Sequence, residues 1–122
     1  MNLDSLNADV TAAILRAEAL LPDSWEAQQA FREVGALEEE IAAVVGASDI
    51  EGEIARLGAV TAALSAGEPL GAVQLAERYL ADGLTGSALL KLEELLKEAD
   101  AAIDALPTNP NVQPIRFTLV AA

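Results

Sequence analysis

The chain is divided into segments by proline and glycine, and within each segment apolar residues recur every three or four positions. The breaks fall at Pro22, Gly46, Gly67, Gly83 and Pro107. Spacings of three and four mark one face of an α-helix, and proline and glycine are the residues that most often end one. The pattern predicts five helices, over residues 1–21, 22–46, 48–67, 68–83 and 85–107.

Each predicted helix carries one apolar stripe, which we expect to face the core. In chain order, the stripes are Leu3, Leu6, Val10, Ile14, Ala17 and Leu21; Ala27, Ala30, Val34, Leu37, Ile41 and Val44; Ile50, Ile54, Leu57, Thr61 and Leu64; Leu70, Val73, Ala76, Tyr79 and Leu80; and Leu89, Leu92, Leu96, Ala99, Ile103 and Leu106. Apolar residues outside these stripes indicate a second buried face, namely Val45, Val60, Leu75, Leu90 and Leu95.

Aromatic residues make up only 3% of the chain, so the core is expected to consist of Ala, Leu, Val and Ile. Gly58 lies beside several alanines in the third predicted helix, which favours a close approach to another helix.

The starts of the helices carry candidate capping residues. Asp4, Ser5 or Asn7 is expected to cap the first helix, Asp23 or Ser24 the second, and Thr85 or Ser87 the fifth. The pairs Asp23/Glu26 and Ser48/Glu51 have the spacing of a capping box. Pro69 suits the first position of the fourth helix.

The end of the chain follows a different pattern. Ile115, Phe117 and Leu119 alternate with Arg116 and Thr118, which predicts a β-strand within residues 112–122. It follows a segment that contains Pro107, Pro110 and Pro114. The sequence therefore predicts a helical domain over residues 1–106 and a proline-rich linker with a strand, or arm, over residues 107–122.

A strand cannot satisfy its own backbone N–H and C=O groups, so this one needs a partner. It can pair within the chain, lie across the helices as a strap, or add to a sheet of another chain by β-augmentation. No other segment alternates convincingly, and the intermolecular interpretation is favoured over the strap. We expect the partner-binding residues to be Ile115, Arg116, Phe117 and Leu119, together with Trp25, for which packing onto its own bundle is the alternative.

The predicted fold class is all-α: an antiparallel helical bundle, or a short stack of helical hairpins, with about five helices and a C-terminal extended strand. Residues 62–80 resemble the inter-helix part of a tetratricopeptide repeat, with Gly67 and Glu68 at the turn and Ala72 early in the second helix. The aromatic residues of that repeat's first helix are missing, and no second copy follows at a 34-residue period. The resemblance implies one helical hairpin and no function.

Charge and composition exclude several function classes. The net charge is −13, and seven Lys and Arg residues are scattered singly, so direct binding of nucleic acid or of an anionic membrane is not expected. The chain has neither Cys nor His, which removes thiolate and imidazole catalysis and Cys/His metal sites. No motif for a catalytic, cofactor-binding or metal-binding site remains, and we expect a protein that is not an enzyme.

The sequence therefore predicts a non-enzymatic assembly, adaptor or structural subunit that oligomerises or docks through apolar helix faces and the C-terminal strand. Its partner would be itself or another protein, and a component of a phage particle or of a bacterial complex would fit. The alternative is an acidic regulatory inhibitor that occupies a basic site on a nucleic-acid-binding protein. With no basic-then-apolar leader and no apolar run of about 20 residues, a cytoplasmic location is expected.

Overall fold

The computed structural model describes residues 2–106, and this part of the chain is all-helical with five helices. They are α1 (Leu3–Glu18), α2 (Trp25–Val44), α3 (Ile50–Ser65), α4 (Pro69–Leu80) and α5 (Gly86–Asp104). The described residues contain no strand. The predicted C-terminal strand, with Ile115, Arg116, Phe117 and Leu119, lies outside them.

Each helix packs mainly against its neighbour in sequence: α1 on α2, α2 on α3, α3 on α4 and α4 on α5. In addition, α5 packs against α3, whereas α2 and α4 do not pack directly against each other. The connections are short, as expected for antiparallel neighbours. The helix α3 is therefore central among the described helices, because it lies against α2, α4 and α5.

The predicted helices are confirmed as elements, but several of their starts differ. The side chain of Asn2 caps α1 by accepting from the backbone N–H groups of Asp4 and Ser5. Ser24 caps α2 and accepts from the N–H of Ala27 at 3.1 Å. Asp23 instead adopts a φ of +64°, which rules out the capping box with Glu26.

The start of α3 was also predicted wrongly. Its N-cap is Asp49 rather than Ser48, and no side-chain capping bond forms there. The capping box of Ser48 and Glu51 is therefore absent. Pro69 opens α4 and Thr85 occupies the N-cap of α5, both as predicted. Gly67 follows α3 with a φ of +74°, a conformation that favours glycine at a helix end.

The buried face is correct for α1, α2 and α5 near their centres, where Val10, Val34 and Leu92 are buried. Their outermost predicted residues, Leu21, Val44 and Leu106, are exposed. The second buried face is confirmed at Val60, Leu75 and Leu95 and is wrong at Leu90, which is exposed.

The predicted face of α3 is wrong at its start. Ile50 and Ile54 are 72% and 60% exposed, and the buried residues are Gly52, Ala55, Arg56, Ala59, Val60 and Ala62. The cause is close packing at this end of the helix: a Cβ atom on Gly52 would overlap the backbone carbonyl of Gly46, which follows α2. Small residues permit this approach, whereas isoleucines at the contact would hold the two helices apart. Leu70 of α4, also predicted to be buried, is 62% exposed.

A buried arginine joins three parts of the fold. Arg56 of α3 is 6% exposed, and its Nε donates to Asp82, just beyond α4, at 2.9 Å. Its two terminal nitrogens donate to the carbonyls of Ala42 and Val45 at the end of α2, and to that of Gly52 on its own helix. The guanidinium carbon also lies 5.6 Å from the ring centroid of Tyr79.

This arrangement satisfies carbonyls that the end of α2 would otherwise leave without a partner, and it places a positive charge at the negative end of the helix dipole. The ion pair with Asp82 and the cation–π contact with Tyr79 add to it. Arg56 therefore fixes the end of α2 to α3 and to the α4–α5 turn.

We predict that Arg56→Met lowers the free energy of unfolding by about 2–4 kcal/mol, because it removes a buried charge-assisted network and leaves its carbonyls without donors. Arg78→Met is the matched control, since the ion pair of Arg78 with Glu39 is solvent-exposed and should contribute less than about 1 kcal/mol. Urea unfolding followed by circular dichroism measures both. Equal losses in the two variants would contradict this role for Arg56.

Candidate interaction groove between α2 and α4

A groove of about 330 Å³ lies between α2 and α4, where the two helices stand apart on either side of α3. Its floor and walls include several very small residues: Gly35 and Ala36 of α2, Ala59 and Ala63 of α3, and Gly71 of α4. Phe31 and Leu75 supply larger apolar surfaces on opposite sides. Ala36, Ala63 and Gly71 are not buried, and their small size leaves unfilled the space that larger side chains would occupy.

Two ion pairs span the groove, one towards each end. Arg32 of α2 pairs with Glu68, the residue before α4, at 2.9 Å, and Arg78 of α4 pairs with Glu39 of α2 at 3.7 Å. All four side chains are about half exposed. Such pairs contribute little to stability in water, and a bound segment can rearrange them at small cost. The groove thus has an apolar floor and a rim that carries both signs of charge.

Large apolar side chains are exposed on other surfaces of the described helices. One group surrounds the α1–α2 turn and consists of Leu15, Leu20, Leu21 and Trp25; another surrounds the α2–α3 turn and consists of Val44, Ile50 and Ile54. Contiguous exposed apolar surface is typical of interaction sites. The residues of each group lie near the adjoining ends of two consecutive helices.

The predicted partner-binding residues fall into two classes. Trp25 lies in the first turn of α2 and is 69% exposed, so the alternative in which it packs into its own bundle does not hold within the described residues. Ile115, Arg116, Phe117 and Leu119 lie outside the described residues. The groove itself was missed by the sequence analysis; its signal is the set of small residues that α2, α3 and α4 contribute to it.

A buried carboxyl group is a second feature that sequence analysis missed. Glu38 of α2 is 7% exposed, and it lies against Gly58 of α3, where a Cβ atom would overlap the carboxylate. Burial raises the pKa of Glu38 from 4.5 to about 7, and no charged group among the described residues contributes to the shift. The close approach predicted for Gly58 is therefore confirmed, and a carboxyl group occupies the space.

Comparison with known protein families, with curated proteins and with solved structures found no match to this chain. Within residues 2–106, no helix is both long enough and apolar enough to cross a membrane. The same residues contain no group of three or more Asp or Glu side chains placed to hold a metal ion.

The pKa of Glu38 predicts a pH dependence of stability. The folded state retains the proton of Glu38 up to about pH 7, whereas the unfolded state loses it near pH 4.5, so stability falls as pH rises between these values. The full effect is at most roughly 3 kcal/mol. Glu38→Gln should remove this component, which is measured by urea unfolding at pH 5, 6, 7 and 8.

The matched control is Glu40→Gln, because Glu40 is exposed on the same helix and the substitution changes net charge equally. Subtracting the pH profile of Glu40→Gln separates the contribution of Glu38 to the pH dependence of stability from the general repulsion among the acidic residues. A Glu38→Gln profile parallel to that of wild type would show that burial does not perturb this carboxyl group.

The contact of Glu38 with Gly58 predicts coupling between the two positions. Alanine is favoured over glycine inside a helix by about 1 kcal/mol, and Gly58→Ala should stabilise a Glu38→Ala protein by about that amount. In wild type, the new methyl group displaces the Glu38 carboxylate, so the gain is lost or reversed. A double-mutant cycle should give a coupling of about 1 kcal/mol or more, and additive effects would contradict the contact.

Proposed function

We propose that this protein is a non-enzymatic assembly subunit that associates with further copies of itself through apolar helix surfaces and its C-terminal segment. The observation that carries the proposal is the exposure of large apolar side chains at helix ends, among them Leu21, Trp25 and Ile50. Such surface is stabilised when another chain covers it. Tryptophan is also among the residues that contribute most to binding energy at protein interfaces.

The sequence of residues 112–122 supplies a complementary element. Ile115, Phe117 and Leu119 place three apolar side chains at alternate positions, the pattern of a segment that binds along a surface. All 20 acidic residues precede residue 107, and Arg116 is the one charged side chain after it. The side-chain charge of this segment is therefore opposite to that of the helical part, which favours an approach of Arg116 to the acidic helical surface.

We predict that Phe117→Asp dissociates the assembly. Truncating an interface anchor costs about 2 kcal/mol or more, so the dissociation constant should rise at least about 30-fold. Thr118→Asp adds the same charge at the next residue, which alternates with the three apolar residues. It should raise the dissociation constant much less. Light-scattering mass on a size-exclusion column, over a range of protein concentrations, measures both variants.

Helical circular dichroism must be recorded for the same samples. Loss of mass with unchanged helicity supports assembly through Phe117, whereas loss of helicity as well supports a strap within one chain. A monomeric wild-type protein would contradict self-assembly. The acidic-inhibitor alternative predicts instead that binding to a basic partner weakens steeply with salt, whereas an assembly held by apolar contacts retains its mass.

A further inference from the structure

We propose that the groove between α2 and α4 is the acceptor for the C-terminal segment of a second copy of the chain, with Phe117 inserted between Phe31 and Leu75. This inference rests on the proposed self-assembly and specifies which surface receives the segment.

The dimensions of the groove match those of the segment. Along α2 the groove extends from Phe31 to Glu39, which is about 12 Å at 1.5 Å per residue. An extended chain covers about 13 Å between Ile115 and Leu119. The three apolar side chains of the segment therefore have the spacing to occupy one length of the groove.

The depth of the groove also suits this occupant. Ala36, Ala63 and Gly71, which are not buried, leave room for an incoming side chain, and the volume of about 330 Å³ exceeds what a single water molecule or methyl group fills. A buried phenylalanine removes roughly 150–250 Å² from water. Phe31 and Leu75 offer it an aromatic and an aliphatic wall.

The rim provides polar partners for the rest of the segment. In an extended chain, Arg116 faces away from Phe117 and stands beside the rim, where Glu39 forms only a 3.7 Å contact with Arg78. The exposed side chain of Gln74 also lines the groove, and its amide can bond to backbone groups of a bound chain. The backbone of the segment thus keeps hydrogen-bonding partners when its apolar side is buried.

The position of α5 favours a second copy as the donor of the segment. The chain leaves the described helices at Leu106, after α5, which packs on α3 and α4 but does not line the groove. Residues 107–122 follow, and the eleven steps from Leu106 to Phe117 reach at most about 36–40 Å. That reach is sufficient to engage a neighbouring molecule.

A pair of substitutions in the full-length chain tests the acceptor. Ala36 and Ala43 are both exposed on α2, but only Ala36 lines the groove. Ala36→Glu should raise the dissociation constant of the assembly at least about 10-fold, whereas Ala43→Glu, with the same change of charge, should alter it less than about 2-fold. Light-scattering mass against concentration gives both values, and circular dichroism confirms that both variants remain folded.

Cross-linking identifies which copy supplies the segment. The chain has no cysteine, so introduced thiols are unique. A tagged copy with Thr118→Cys is mixed with an untagged copy carrying Gln74→Cys in the groove, and a short bifunctional thiol reagent is added. We expect a covalent dimer of the two, and much less with Asp100→Cys, an exposed position on α5.

Two outcomes would overturn the inference. If one chain carrying both Thr118→Cys and Gln74→Cys forms an internal cross-link while the mixture forms no dimer, the groove binds its own segment. If neither cross-link forms and Ala36→Glu assembles like wild type, the groove is not the acceptor. In that second case Phe117→Asp still decides independently whether the protein assembles through its C-terminal segment, so failure of the groove and failure of the assembly are separate results.

Discussion

The arrangement of α2, α3 and α4 depends on one guanidinium group. Arg56 reaches from the central helix to the last carbonyls of α2 and to the aspartate beyond α4, so the bonds of one side chain define three positions at once. Because it is nearly fully buried, every bond that it loses leaves a desolvated partner. The ring of Tyr79 covers the same group, which links the packing of α4 to this network. The relative positions of α2 and α4, and therefore the width of the groove between them, follow from this connection through α3.

Small residues determine how closely the helices approach, and they have opposite consequences on two sides of α3. Towards α2, Gly58 leaves a space that the side chain of Glu38 fills, so the contact is tight but contains a carboxyl group without a charged neighbour. Towards the groove, Ala63 leaves a space that the described residues do not fill. The same composition thus gives close packing where two helices meet directly and an open groove where two helices are separated by a third.

Much of the fold followed from the sequence because it depends on local chemistry. Proline, glycine and the spacing of apolar residues placed all five helices, and Pro69 and Thr85 were located correctly at helix starts. The errors arose where tertiary contacts override local pattern. Ile50 and Ile54 have the ideal helical spacing, yet the face that packs is the one with Gly52, Ala55 and Ala59, since only small residues admit the neighbouring helix.

The candidate site was harder to predict for the same reason. The groove lies between two helices that do not pack directly against each other. The spacing of apolar residues within one helix gives no information about its distance from another helix. Arg56 and Glu38 were missed because a charged residue is expected to face solvent, and the spacing alone does not show that backbone carbonyls or a glycine lie opposite it. For Trp25 the sequence left two interpretations open, packing onto its own bundle and binding a partner, and the side chain is exposed at the first turn of α2.

The distribution of charge bears on why an apolar groove would be selective. A strongly acidic surface repels copies of itself at low salt, which opposes indiscriminate contact between the exposed apolar groups at the helix ends. The segment after residue 106 carries no acidic side chain, so it escapes much of that repulsion and is the part of the chain best able to approach another copy. The ion pairs at the two ends of the groove then restrict which segments can bind. A bound chain must leave all four charged side chains, Arg32, Glu39, Glu68 and Arg78, either paired or solvated. An apolar segment with a single arginine meets that condition, whereas a segment rich in carboxylates adds repulsion from the acidic surface and from the two rim glutamates.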